Sequence, residues 1–300
     1  MEKVVVITGP TAVGKTKLSI EIAKRFQTEI INGDAYQIYQ KMNIGTAKPT
    51  KEEQSGIVHH MLDIVDPSCE YSVFRYQTDV RACIDTMVKQ HLLPLIVGGS
   101  GLYIDSVIKD YRFCEEKRVD DHAYDAYSNE ELYQMLENED VDVASKIHPN
   151  NRKRLIRAIE LQNSSVNKES RSHRGDYCYD TLLIFLNDER SVLYDRINRR
   201  VDQMISDGLI EEVESIGENH FSTTSKAAIG YKECLSYLNG EISKDEMIDL
   251  IKKNSRHYAK RQFTWFKNKT DAVIVNIQYD SFHETIDEVS KIITKFISNK

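Results

Sequence analysis

Cysteine and proline are scarce, at five each in 300 residues. Cys69, Cys83, Cys114, Cys178 and Cys234 are odd in number, widely scattered and free of any Cys-x-x-Cys pair. That pattern argues against a disulfide framework and a paired-cysteine zinc site, and it favours a reducing cytoplasm. No apolar run approaches the ~18 residues of a membrane span. Met1-Glu2-Lys3 leads straight into the apolar Val4 to Ile7 without a long apolar core or a small-residue cleavage site. No signal peptide is therefore expected, and a soluble, cytoplasmic monomer is. Internal repeats and low-complexity tracts are also missing.

Hydrophobic residues make up 40% and charged residues 29%, which suits one globular α/β domain carrying an inserted lobe. The net charge of −7 conceals a segregation. Glu115 to Asp142 holds eleven acidic residues against Lys117 and Arg118, whereas Lys252 to Lys269 holds seven basic residues and no acid. Arg152 to Arg174 carries seven positive residues against Glu160 and Glu169. Clustered positive faces can attract a polyanion that the mean charge would repel. Each cluster alone fits a solvated helix face equally well.

Lys3 to Thr8 reads as a buried strand, followed by a Gly-rich turn and a helix with Leu18, Ile22, Ala23 and Phe26 on one face. Glu29 to Asn32 reads as a short strand, Phe74 to Gln90 as a helix, and Leu92 to Val97 as an apolar strand ending at Gly98-Gly99. Strands alternating with helices predict a parallel sheet covered on both faces. Beyond Lys109 the pattern turns helical, over Glu130 to Leu136 and Arg154 to Leu161, and a polar loop follows over Asn163 to Asp176. Thr181 to Leu186 restores the strand signal, Val192 to Ile216 reads as helical, and Ala272 to Ile277 is a late strand before a C-terminal helix. The expected fold is α/β: a P-loop NTPase-like parallel sheet core over 1–111 and 180–300, with a mostly helical inserted domain over 112–179.

Gly9-Pro10-Thr11-Ala12-Val13-Gly14-Lys15-Thr16 matches G-x-x-x-x-G-K-[ST], between a strand and a helix as that motif requires. Its glycines let backbone N–H groups turn inward, and the helix N-terminus adds partial positive charge. Lys15 brings a full charge to bound phosphates, and the Thr16 hydroxyl is a candidate ligand for Mg²⁺. A di- or triphosphate is the expected ligand. A nucleotide hydrolase usually adds a second strand ending in Asp, but Leu92 to Val97 runs into Gly98-Gly99-Ser100-Gly101 without an acid.

Asp34 follows Ile30-Ile31-Asn32-Gly33, at the sheet edge where strand ends converge on a ligand crevice. A carboxylate there can hold a metal through water, act as a general base, or simply shape a turn. Tyr36, Gln37 and Tyr39 suit stacking and edge-on hydrogen bonding with a base, and equally a surface turn. His59 and His60 read as structural hydrogen-bonding residues beside Asp63, and His148-Pro149 as a turn.

With these blocks in view, the chain resembles the bacterial tRNA dimethylallyltransferases, also called tRNA isopentenyltransferases. The resemblance is carried by GPTAVGKT at 9–16, NGDAYQIY at 32–39, NIGTAKP at 43–49, HHMLDIVDP at 59–67 and VGGSGLYI at 97–104. It continues through IHPNNRKRLIRAIE at 147–160, RRVDQMISDGLIEEV at 199–213, AIGYKE at 228–233 and KRQFTWFK at 260–267. It implies a P-loop that binds dimethylallyl diphosphate, with transfer to N6 of the adenine 3′-adjacent to the anticodon in tRNAs reading codons that start with U. Asp34 is then the base, and Gly9 to Thr16 hold the diphosphate with Arg200. Thr11 and Ser100 stand near the reacting groups, Ser100 where the family usually has Thr. Contacts to the tRNA anticodon stem-loop are implied for four segments. They are Asp34, Ala35, Tyr36 and Gln37; Lys153, Arg154, Leu155, Ile156 and Arg157; Ala227, Ala228, Ile229, Gly230, Tyr231 and Lys232; and Lys260, Arg261, Gln262, Phe263, Thr264, Trp265, Phe266 and Lys267. Ala35 departs from a usual Ser, and Ala227 from a usual Arg or Gln, with Lys226 as a substitute charge beside it. Cys114 to Asn129 departs most, so no residue is carried over from it.

Two other readings remain open on the residues alone. A small-molecule or nucleoside-phosphate kinase also pairs a phosphate cradle with a strand-end Asp, although it leaves KRQFTWFK without a purpose. A non-catalytic RNA-binding protein would use the P-loop for regulation. In the last block, Phe263 and Phe266 also fit the core face of a helix.

Overall fold

The computed structural model describes residues 1–111, 113, 123–163 and 176–299. The strands are β1 (Lys3–Thr8), β2 (Ile30–Asn32), β3 (His59–His60), β4 (Leu95–Gly98), β5 (Asp180–Asn187) and β6 (Val273–Asn276). The helices in the first part are α1 (Lys15–Phe26), α2 (Lys51–Gln54), α3 (Val73–Lys89), α4 (Gly101–Ile108), α5 (Asn129–Glu139), α6 (Val141–Ala144) and α7 (Arg152–Asn163). The remainder are α8 (Arg190–Ser206), α9 (Leu209–Ile216), α10 (Thr223–Lys226), α11 (Tyr231–Leu238), α12 (Lys244–Lys269) and α13 (Phe282–Ser298). They form two compact units, Met1–Asp110 with Asp176–Lys300, and Tyr111–Gly175.

In the larger unit the strands form one parallel sheet in the order β3-β2-β4-β1-β5-β6. Val4 to Ile7 are fully buried because β1 is central and covered on both faces. Alternation decides which face each residue joins. Val4 and Val6 pack with α3, α4 and the α9–α12 side, whereas Val5 and Ile7 pack with α1 and α13. The chain leaves β1 and β4, which are neighbours, on opposite faces, and their C-terminal ends flank the crevice where ligands bind in such sheets.

Two expectations need correction. Val192 to Ile216 is not one helix: Gly208, at φ 98°, separates α8 from α9, a backbone geometry that glycine adopts without steric cost. The edge strand β3 has no counterpart in the sequence reading, because two residues give no periodicity. Its His60 meets Glu29 rather than Asp63, with 2.5 Å between Nε2 and Oε2, and Asp63 pairs instead with Lys48. Cys114, the first part of the acidic run over 115–122 and the polar loop over 164–175 lie outside the described residues. None of the described helices is long and apolar enough to cross a membrane.

In the smaller unit, α5 and α7 pack through Leu132, Leu136, Leu155 and Ile159. Arg152 caps the chain before α5 by donating to the carbonyls of Tyr124 and Tyr127. The turn at His148 is closed by the Asn150 N–H on its Nδ1 and the Asn151 N–H on its carbonyl.

Candidate functional site

The P-loop turns from β1 into α1. Lys15, the first residue of α1, folds its ammonium back to donate to the carbonyls of Gly9 and Pro10, each at 2.9 Å. Burial lowers its pKa to about 8; Asp34 opposes that shift and Arg200 adds to it. From outside, Arg196 on α8 donates to the Ala12 carbonyl at 2.9 Å while its guanidinium lies 3.9 Å over the Tyr279 ring.

Asp34 lies just past β2, on a turn fixed by its neighbours. The Asn32 side chain accepts the Asp34 N–H and donates to the Asp34 and Met61 carbonyls, all at 3.1 Å. The turn after β4 is stitched to this one: Gly33 N–H donates to Val97 O at 2.7 Å and Ser100 N–H to Gly33 O at 3.2 Å. Burial raises the Asp34 pKa, whereas the Tyr36 and Gln37 N–H groups, Lys15 and Arg200 oppose it. Such a carboxylate is a better proton acceptor than a solvated one, and its cationic neighbours favour the ionised form against the burial that disfavours it. Ser100 Oγ accepts the Ala35 N–H at 3.0 Å, so the hydroxyl serves the backbone at the position where Ala35 lacks one of its own.

Two cavities meet here. The larger, about 810 Å³, is lined by the P-loop from Thr11 to Thr16, by Asp34 and Gln37, and by Arg196, Arg199 and Arg200. The smaller, about 210 Å³, is lined by Tyr36, Thr46, Ala47, Ala227 to Ile229, Lys232 and Arg261. Thr11, Asp34, Thr46, Ala47, Arg200 and Tyr258 border both. Burial lowers the Arg200 pKa, opposed by Glu53 and Asp34. An anion held at the P-loop would therefore lie beside a carboxylate that also faces a second chamber.

Sequence reasoning missed several of these residues. Arg196 and Arg199 were missed beside Arg200, which the resemblance implied, because their helical spacing by itself marks only one face of α8. Tyr258 lies one turn before Gln262 on α12, and its hydroxyl is 3.4 Å from Ser100 Oγ. Nothing local in the sequence marked Tyr258 or Asn32.

The block over 260–267 requires the largest correction, because half of it faces inward. Gln262 is 4% exposed; its Oε1 accepts the Thr11 N–H at 2.9 Å and its Nε2 donates to the Gly99 carbonyl at 3.0 Å. A Cβ on Gly99 would come within 2.0 Å of that amide, so the glycine makes room for the clamp. Trp265 donates to Asp105 at 3.1 Å, Phe266 is fully buried, and Phe263 meets Phe185 edge-on. Lys260, Arg261, Thr264 and Lys267 face solvent. A single helix cannot present all eight successive side chains to one partner.

Other segments divide in the same way. Ala228 and Tyr231 are core residues, Ile229 is half-buried, and Gly230 turns the chain at φ 97°. Ala227 and Lys232 are exposed. Lys226 pairs with Glu218 at 2.6 Å and lines neither cavity, so it does not replace the charge absent at Ala227. In the smaller unit Leu155 is fully buried and Ile156 half-buried, Arg157 pairs with Glu160 at 3.1 Å, and Lys153 and Arg154 are exposed.

Fold and site together define a P-loop α/β protein whose phosphate cradle opens onto a second chamber through a shared carboxylate. The chain belongs to the IPP transferase family, whose family model matches residues 37–269. The tRNA dimethylallyltransferase of Macrococcus caseolyticus is 46% identical over 88% of either chain, and that of Exiguobacterium sp. 44% identical over 98% of this chain and 97% of its own. A crystal structure of the tRNA isopentenylpyrophosphate transferase of Bacillus halodurans matches at TM-score 0.75 and 40% identity, over 99% of this chain and 97% of that one. A eukaryotic dimethylallyltransferase, captured in crystallographic snapshots acting on tRNA, matches at TM-score 0.83 and 29% identity. It is covered to 80% by the whole of this chain. These similarities lend no support to a kinase.

Proposed function

We propose that this protein is a tRNA dimethylallyltransferase, moving a dimethylallyl group from dimethylallyl diphosphate to N6 of the adenine that follows the anticodon, in tRNAs reading codons that start with U. The observation that carries this reading is the position of Asp34, Thr11 and Arg200 on the border of both cavities. One chamber has the cations for a diphosphate and the other the breadth for a base.

In the proposed reaction the allylic C–O bond breaks and its electron pair leaves with the diphosphate oxygen. P-loop amides, Lys15 and Arg200 stabilise the charge that builds there; losing one such donor typically costs ~10²–10³ in rate. The N6 lone pair attacks the allylic carbon, and Asp34 takes the N6 proton. The target base must leave the loop stack to enter the smaller chamber, which costs less in an anticodon loop than in a duplex. Exposed Lys260, Arg261, Lys267 and Lys232, with Lys153 and Arg154 of the insertion over 112–179, supply phosphate contacts.

The residues fit Mg²⁺ held chiefly by the diphosphate itself. Thr16 offers a hydroxyl at the head of α1, and among the described residues no cluster of three or more His, Cys, Asp or Glu forms a protein cage. When bound, the ion would neutralise leaving-group charge.

Incubation of the purified protein with Mg²⁺, dimethylallyl diphosphate and unmodified tRNA, followed by nucleoside analysis, tests the proposal. Prenylated adenosine is expected; its absence alongside rapid ATP hydrolysis would overturn it. Asp34→Asn should keep diphosphate affinity while turnover falls by about 10²–10⁴, and unchanged turnover removes Asp34 from the role of base.

A further inference from the structure

Among the described residues outside the P-loop and the Asp34 turn, the most densely engaged carboxylate is Glu212, in the first turn of α9. Its oxygens accept three successive backbone N–H groups, from Asn43 at 2.9 Å, Ile44 at 2.9 Å and Gly45 at 3.3 Å. The Tyr231 hydroxyl donates to the same carboxylate at 2.6 Å. Consecutive amides converging on one anion form a nest, and the α9 N-terminus favours the charge further. Packing reinforces the attachment: a Cβ on Gly45 would lie 2.4 Å from the Tyr231 ring.

What Glu212 joins are two walls of one chamber. The turn over 43–47 contributes Gly45 to the smaller cavity alone and Thr46 and Ala47 to the border of both, and the segment leading into Tyr231 contributes Ala228 and Ile229 to the smaller one. The same turn orients Gln37, whose side-chain amide donates to the Thr46 and Ala47 carbonyls at 3.1 and 3.2 Å. None of the groups bonded to Glu212 belongs to the P-loop.

From this geometry we infer that Glu212 is a positioning residue for the acceptor. It fixes the 43–47 turn against the Tyr231 segment so that the chamber is shaped before the base arrives. The inference rests on the proposed transfer to an RNA base, and it assigns the larger effect to that base, because Gly45, Ala228 and Ile229 line the smaller cavity alone. A glutamine keeps the shape but replaces an oxygen with an NH₂ group, which faces donors and cannot accept from them.

The test uses the full chain and compares wild type with Glu212→Gln. Steady-state kinetics are measured against an unmodified anticodon stem-loop RNA, and dimethylallyl diphosphate affinity is measured separately by equilibrium titration. Loss of charge-assisted hydrogen bonds should lower kcat/KM for the RNA about tenfold or more, with diphosphate affinity held within about twofold. Unchanged RNA kinetics, or an equal loss toward both substrates, overturns the inference. Should that variant fail to fold, Glu212→Asp carries the test by the same two readouts, since it keeps the charge but shortens its reach. Wild-type turnover is the control that separates the two claims. If it is absent, the proposed function fails; if it is present with an unaffected variant, only the role of Glu212 fails.

Discussion

Lys15 illustrates how much a single side chain's surroundings alter its chemistry. Its ammonium donates to the loop's own carbonyls, and burial holds its pKa at about 8. The protonated form is the one that attracts a diphosphate. Affinity for dimethylallyl diphosphate should therefore weaken as pH rises through about 8. The ligand's own last ionisation, with a pKa near ~6 for phosphoesters, acts at lower pH and in the opposite sense. In Lys15→Arg the guanidinium stays charged throughout, so binding titrations across this window should flatten; the same slope in that variant would assign the titration to another group. Asp34 is shifted in the opposite sense by the same burial, which favours proton acceptance.

At the scale of elements, α12 does more than present a surface. Through Gln262 it connects the loop after β1 to the turn after β4, and through Trp265 it reaches Asp105 on α4. The P-loop and the turn after β4 are thus held to a common strut. Gln262→Met fills the same volume without either hydrogen bond and leaves a buried N–H and C=O unpaired. A loss of about 1–3 kcal/mol in unfolding free energy is expected. Turnover measured below the unfolding transition should also fall, because the two halves lose their common reference. Wild-type turnover in a destabilised Gln262→Met protein would leave the clamp a purely structural device.

Across the whole molecule, a net charge of −7 coexists with a proposed polyanionic substrate. The resolution is distribution: on α12, Lys253, His257, Lys260, Arg261, Thr264 and Lys267 form an exposed stripe, while Lys252 is engaged by Asp202 at 2.6 Å. RNA affinity should fall steeply with salt. Replacing both Lys260 and Lys267 with Ala should reduce the slope of log affinity against log salt by about 0.7 for each phosphate no longer neutralised, the single-strand value. An unaltered slope in the double variant would move the RNA to another face.

The sequence by itself determined the phosphate cradle and the sheet class, because both are local. A G-x-x-x-x-G-K-T turn needs only its own backbone, and a strand buried on both faces must be apolar throughout, as Val4 to Ile7 are. It also marked Asp34 by its place after a strand. Only the tertiary structure decided which side chains near that acid face it. Tyr258 and Arg196, which line the same cavity as Asp34, lie at least 160 positions away along the chain and are brought in by packing. The inward turn of Gln262 and Trp265 was equally hidden, whereas Phe266 already fitted a core face. A helix carries its periodicity in its own residues, but which stripe faces the core is set by the elements it packs against.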